Sequence, residues 1–154
     1  MAEPVPVTLA PTQDERTMAT LAHALQLIGS WIAPLVIFLI RRDSRFVSFH
    51  ALQALLLQIV HVIVIMLFVV CLIMVGVFGA LNAVGKPPSS PPVALFLVFP
   101  LFWLFMFGAQ ITILVIAILY CIKAGRGEWA EYPVLGRLAR RMLKIGPGGT
   151  HMAG

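Results

Sequence analysis

Three long apolar tracts, residues 19–40, 46–84 and 93–123, divide the chain and carry almost no charge. About 20 consecutive apolar residues suffice to cross the hydrocarbon core of a bilayer. A helix of a soluble bundle keeps a polar outer face, whereas residues 59–81 are apolar all round. The pattern predicts an all-α, polytopic helical membrane protein with about three transmembrane helices, over residues 17–40, 50–84 and 93–123.

Two of the tracts are irregular. Pro34 interrupts the first, with Gly29 and Ser30 one turn earlier. A proline removes one backbone bond and bends a helix, so a kink, or a break into two short helices, is expected near 30–34. The second tract would measure about 58 Å as one helix, well beyond a bilayer core. Its first part, 46–61, is dotted with polar residues, so its early turns are expected near the cytoplasmic interface or in a protein-lined interior. Splitting a tract would give four spans, and a broken or re-entrant first segment would have the same effect on topology. Thr12 or Asp14 is placed to cap the first helix. Residues 1–13 read as a flexible tail, 14–133 as the membrane domain with a Gly/Pro/Ser loop over 85–92, and 134–154 as a basic amphipathic and Gly-rich tail.

Composition sharpens this picture. Of 154 residues, 60% are hydrophobic and 11% charged, against roughly 45–50% and about 25% in soluble domains. The net charge of +5 reads as topology rather than as a nucleic-acid footprint. Arg41, Arg42 and Arg45 fill the first turn, and Lys123, Arg126, Arg137, Arg140, Arg141 and Lys144 follow the third tract. The N-terminal flank has Arg16 and the second loop Lys86. With three spans the positive-inside rule places the N-terminus outside and the C-terminus in the cytoplasm. The acidic first residues do not suit a signal peptide, and a bacterial inner membrane is the expected address. In the tail, Arg137, Arg140, Arg141 and Lys144 oppose Val134, Leu135, Leu138, Met142 and Leu143, a pattern suited to anionic lipid head groups.

Polar residues at membrane depth are the functional candidates. His23, Gln26 and Ser30 share one helix face; His50, Gln53 and His61 share another, flanked by Gln58; Gln110 and Thr112 lie within the third tract. Three readings compete: interhelical hydrogen bonds that only hold helices together, a water-lined conduit, or haem or metal ligation by His23, His50 and His61. No histidine or cysteine spacing supports a metal, and Cys71 and Cys121 read as packing residues. The spans hold no carboxylate for a proton relay, and there is no phosphate loop or nucleophile elbow. No enzymatic activity and no cofactor is expected.

Two stretches carry a resemblance: DERTMATLAH at 14–23 with FVSFHALQA at 46–54, and IKAGRGEWAEYP at 122–133. Together they resemble the Tic twenty-like family, small bacterial membrane proteins similar to the chloroplast inner-envelope import component and a domain of unknown function. The resemblance implies three or four spans and a channel-like or protein-translocation role. The matching positions are His23, His50, Gln53, Gly127, Glu128, Trp129, Tyr132 and Pro133, with a cytoplasmic-face motif completed by Arg41, Arg42 and Arg45. Glu128 is expected within reach of one of these arginines. The alternative is a structural or interaction subunit that assembles with itself or with another membrane protein.

Overall fold

A computed structural model describes residues 10–85 and 93–146, for 83 and 93–97 the backbone alone. Five helices follow one another: α1 (Gln13–Gly29), α2 (Ile32–Ile40), α3 (Arg45–Ala83), α4 (Val93–Gly125) and α5 (Leu135–Leu143). No strand occurs among the described residues, so the fold is all-helical. Of the loop expected at 85–92 only Gly85 is described, and residues 1–9 and 147–154 of the tails lie outside the described residues, whereas 134–146 are described and contain α5.

Two helices, at Arg45–Asn82 and Val98–Gly125, are long and apolar enough to cross a membrane. The first tract, expected as a third span, is not one helix of spanning length. It divides at Ser30 and Trp31 into helices of 17 and 9 residues, about 26 and 14 Å long and each short of the roughly 30 Å core. Its two ends also meet: Ser44 Oγ donates to Glu15 Oε1 at 2.6 Å, and Arg41 pairs with Asp14 at 2.7 Å. A spanning helix would hold those ends about 30 Å apart. The tract is therefore a helical hairpin. Ser30, at φ 50° and ψ −132°, makes the corner in a backbone region that glycine adopts far more readily.

The chain forms two compact units. The first joins Met1–Ile59 to Leu114–Gly154, and its contacts involve small side chains that admit close helix approach. Ala22, Ile37, Val47 and Ala51 form one cluster. Ala19, Phe46 and Ala124 form a second, and Phe49, Leu52, Ala139 and Ile145 a third. The second unit, Val60–Ile113, has an exposed apolar surface, with Phe78 and Leu104 each 71% exposed. Phe68 stacks on Phe105 at 3.9 Å between ring centroids. Apolar exposure on this scale suits a lipid environment.

Local signals explain the helix ends. Thr12 caps α1: its Oγ1 accepts from the Glu15 N–H at 3.2 Å, while its own N–H donates to Glu15 Oε2 at 2.8 Å. This is a capping box. Ser44 caps α3, its Oγ accepting from Val47 N at 3.3 Å. At the end of α4, Gly127 N donates to Ala124 O at 2.9 Å and Glu128 N to Lys123 O at 3.0 Å. That paired pattern requires a left-handed residue, and Gly127 supplies it at φ 79°. A side chain there would also stand 2.9 Å from Arg16 Nε.

Candidate functional site

The polar residues of the first unit converge on the segment that follows α4. His23 comes from α1 and His50 from α3. His23 Nε2 lies 3.1 Å from His50 Nδ1, His50 Nε2 lies 3.0 Å from Glu128 O, and Tyr132 Oη lies 3.0 Å from His23 Nδ1. Both histidines are fully buried and Tyr132 is 3% exposed. The end groups fix the protons. A carbonyl oxygen only accepts, so His50 Nε2 carries a hydrogen, and a neutral His50 accepts at Nδ1. His23 then donates from Nε2 and accepts at Nδ1 from the Tyr132 hydroxyl. Burial pushes the Tyr132 phenol well above its ordinary pKa, which keeps that donor protonated. One directed chain, Tyr132 to His23 to His50 to the Glu128 carbonyl, satisfies every member with both rings neutral.

Gln53, one turn after His50, extends the same attachment. Its Nε2 donates to Ala130 O at 3.1 Å, and its Oε1 accepts from Tyr132 N at 2.7 Å. Tyr120 donates to Glu131 O at 2.6 Å and meets Tyr132 edge to face at 4.1 Å. Trp129 packs against Phe46 and Phe49 at 5.3 and 5.5 Å. The segment is therefore held through its own backbone groups, which water cannot satisfy once they are buried. Gly136 lets α5 approach: a Cβ there would lie 2.9 Å from Gln53 Oε1 and 2.6 Å from the Glu131 Cβ. The Glu131 carboxylate pairs with Arg140, whose guanidinium lies 5.0 Å from the Phe49 ring centre. Gln58 Nε2 donates to Gln26 O at 3.1 Å. That carbonyl belongs to the last turn of α1, which leaves its carbonyls without intrahelical partners.

The remaining candidates fall differently. Gln26 is buried near Tyr132, but its side-chain amide makes no hydrogen bond of good geometry. Ser30 and His61 are half-buried and stand outside the network. Gln110 and Thr112 are exposed, and Thr112 Oγ1 donates to its own helix at Gly108 O, 2.8 Å away. Pro133 is exposed at the end of the held segment. The carboxylate of Glu128 does not meet the basic turn: it approaches Arg126 at 3.9 Å. Arg41 is taken by Asp14, and Arg42 lies over Phe38 at 5.7 Å. Arg45 opens α3 and is half-buried. The later segment is held instead by His50 and Gln53 of α3. Cys71 and Cys121 are free thiols, and the described residues contain no group of three or more His, Cys, Asp or Glu arranged to hold a metal.

Sequence reasoning missed the capping role of Gln58, the closure between Ser44 and Glu15, and the Tyr120 hydroxyl. None leaves a periodic signal. Each partner is a backbone carbonyl or a carboxylate at least 11 residues away.

Fold and site together define a small all-helical membrane protein in which His23, His50, Gln53 and Gln58 hold helices and the following segment together through internal hydrogen bonds. The chain belongs to the magnetosome magnetite crystal formation protein family (MamF/MmsF), whose pattern it matches over residues 14–139. No curated protein and no solved structure matches it. The family match overturns the Tic import-like resemblance, and with it the channel-like, protein-transport role that the resemblance implied. The residues that carried the resemblance, His23, His50, Gln53 and Gly127–Pro133, build the buried attachment. In this chain they hold helices and the following segment together, and packing alone does not carry a function.

Proposed function

We propose that this protein is a non-enzymatic structural or interaction subunit of the magnetosome membrane that supports magnetite crystal formation. One observation carries the structural part. The Tyr132–His23–His50 chain and Gln53 use their hydrogen-bonding groups on one another and on backbone of residues 128–132. Groups consumed in this way line no aqueous path; they fix one arrangement of helices. The family match supports the crystal-formation role. An exposed amide at Gln110, inside an apolar span, supports association with another membrane helix or a second copy, because an unpaired amide in lipid is costly.

The topology that fits has two spans with α1 and α2 as a hairpin. Both chain ends then lie on the side of the basic turn and basic tail, the cytoplasmic side by the positive-inside rule. Cysteines introduced at Thr12 and Arg137 should be shielded from a membrane-impermeant thiol reagent in intact inside-in vesicles, after Cys71 and Cys121 are replaced by alanine. Labelling of one end only would restore a third span.

The functional test is replacement of the gene in a magnetite-forming bacterium by the Gln53→Leu variant. Crystal size by electron microscopy should change, while liposomes containing the wild-type protein pass neither ions nor peptides. Normal crystals in a strain lacking the protein would sink this reading, as would flux that Gln53→Leu abolishes.

A further inference from the structure

Beside the held segment, the first unit carries a half-open groove of about 290 Å³. It is lined by Leu57, Ile116 and Tyr120 and by the chain from Tyr132 to Leu135 that leads into α5. The lining is apolar almost throughout, and basic residues neighbour some of the lining residues. The Lys123 ammonium lies 5.3 Å from the centre of the Tyr120 ring. Along α5, Arg137, Leu138 and Arg141 follow Val134 at spacings of three, four and seven, so they share its face. All four are exposed, Val134 by 67% and Leu138 by 43%. Arg140, on another side of the helix, is already paired with Glu131.

We propose that this groove binds one anionic phospholipid: an acyl chain lies along Leu57, Ile116 and Tyr120, and Lys123, Arg137 and Arg141 take the phosphate. Charge complementarity selects the occupant. An apolar trough with Lys123 beside a lining ring and two exposed arginines on the helix face of the lining residue Val134 suits a molecule with an apolar chain and an anionic head, and a chain with two bilayer-length helices meets that molecule at high local concentration. The exposed Val134 and Leu138 beside exposed arginines have the make-up of a helix lying at the head-group boundary. This site goes beyond the crystal-formation role and does not rest on it.

The test is native mass spectrometry of the full chain released from detergent after mixing with equal amounts of dioleoyl phosphatidylglycerol and dioleoyl phosphatidylcholine. The wild type should retain phosphatidylglycerol preferentially. Lys123→Gln, Arg137→Gln and Arg141→Gln should each cut that preference roughly five-fold, the weight of one basic residue at an anionic surface. Ile116→Trp, which fills the groove, should abolish retention of both lipids, and Ile116→Val should leave it intact. Val134→Asp, at an exposed position, opposes the same lipid and serves if Ile116→Trp fails to fold. Equal retention of the two lipids by the wild type overturns the proposal, as does full retention in Val134→Asp. A lipid-free dimer lost on Ile116→Trp would give the groove to a second copy and overturn it equally.

Discussion

The Ser44 hydroxyl donates a 2.6 Å hydrogen bond to the Glu15 carboxylate, and this contact brings the two ends of the first apolar tract together. It also sets the charge of Glu15. The bond from Ser44 is the main cause that holds the Glu15 carboxyl below its ordinary pKa, helped by the Thr12 contacts and Arg41 against a smaller opposing effect of burial. The carboxylate lies beside the positive end of α3, which favours its ionised form. A depressed folded-state pKa contributes stability that is complete above the unfolded value and is lost as pH falls through the folded one. Stability should therefore be flat near neutrality and decline below about pH 4.5. Ser44→Ala should lower the neutral plateau and flatten the acid decline, read from thermal unfolding in detergent at stepped pH. An unchanged acid limb would show that Glu15 does not contribute to it.

Much of this fold was legible in the sequence, and the reasons are local. Thr12 or Asp14 reads as the cap of the first helix, Lys123 as the end of the third tract, and the apolar run over 59–81 as part of a span. The break at Ser30–Pro34 was legible as well. Its consequence was not. Apolar content cannot tell a span from a hairpin, and only the long-range pairs Glu15–Ser44 and Arg41–Asp14 decide between them. The polar stripes likewise grouped His23 with Gln26 and His50 with Gln53, but they also included Ser30 and His61, which stand outside the network. They did not show which of the facing groups were backbone carbonyls from residues 128–132, because a carbonyl has no side-chain signature.

Gln53 and Gly136 meet at one point, so each should loosen the same segment. Gln53→Leu leaves the Ala130 carbonyl and the Tyr132 N–H without partners, each at about 1–3 kcal/mol when buried. Gly136→Ala inserts a methyl group against Gln53 and the Glu131 backbone, an overpacking cost of about 1–3 kcal/mol. Hydrogen exchange of residues 128–132 should quicken in both variants. Gly76→Ala, where a Cβ meets nothing within 4 Å, should leave the segment's exchange unchanged.

Gln110 offers a direct test of association. Replacing an exposed amide in a span by leucine removes an interhelical hydrogen-bond partner without disturbing the network of the first unit. Interhelical bonds of this kind average about 0.6 kcal/mol, so Gln110→Leu should weaken self-association or partner capture by roughly three-fold. Förster transfer between labelled copies in vesicles at several protein-to-lipid ratios would measure the self-association. Unaltered transfer together with unaltered crosslinking to any partner would remove Gln110 from the interface.

Ser30 occupies a backbone conformation that costs a non-glycine residue about 1–3 kcal/mol, at φ 50° and ψ −132°. Ser30→Gly should relieve that strain and raise the unfolding midpoint, offset in part by the greater entropy of the unfolded glycine. Ser30→Ala keeps the strain and should not stabilise. Equal midpoints for Ser30→Gly and wild type would mean that the corner stores little energy.

The chain from Tyr132 through His23 and His50 to the Glu128 carbonyl makes its members interdependent. His50→Ala leaves the Glu128 carbonyl and the His23 Nε2–H buried and unpaired, so it should cost about 3 kcal/mol or more once the cavity is included. His23→Ala unpairs the Tyr132 hydroxyl and His50 Nδ1 at a similar cost. The double variant removes donor and acceptor together. It should therefore be less unstable than the sum of the two by about 0.5–3 kcal/mol, the range for residues in one network. Denaturant unfolding of all four forms in the same detergent closes the cycle. Strict additivity would mean that the 3.1 Å contact between the rings contributes no coupling, and the directed chain would reduce to two separate attachments. A clear coupling, joined by faster exchange at Glu128–Tyr132 in each single variant, would show that the histidines hold the segment as one cooperative unit.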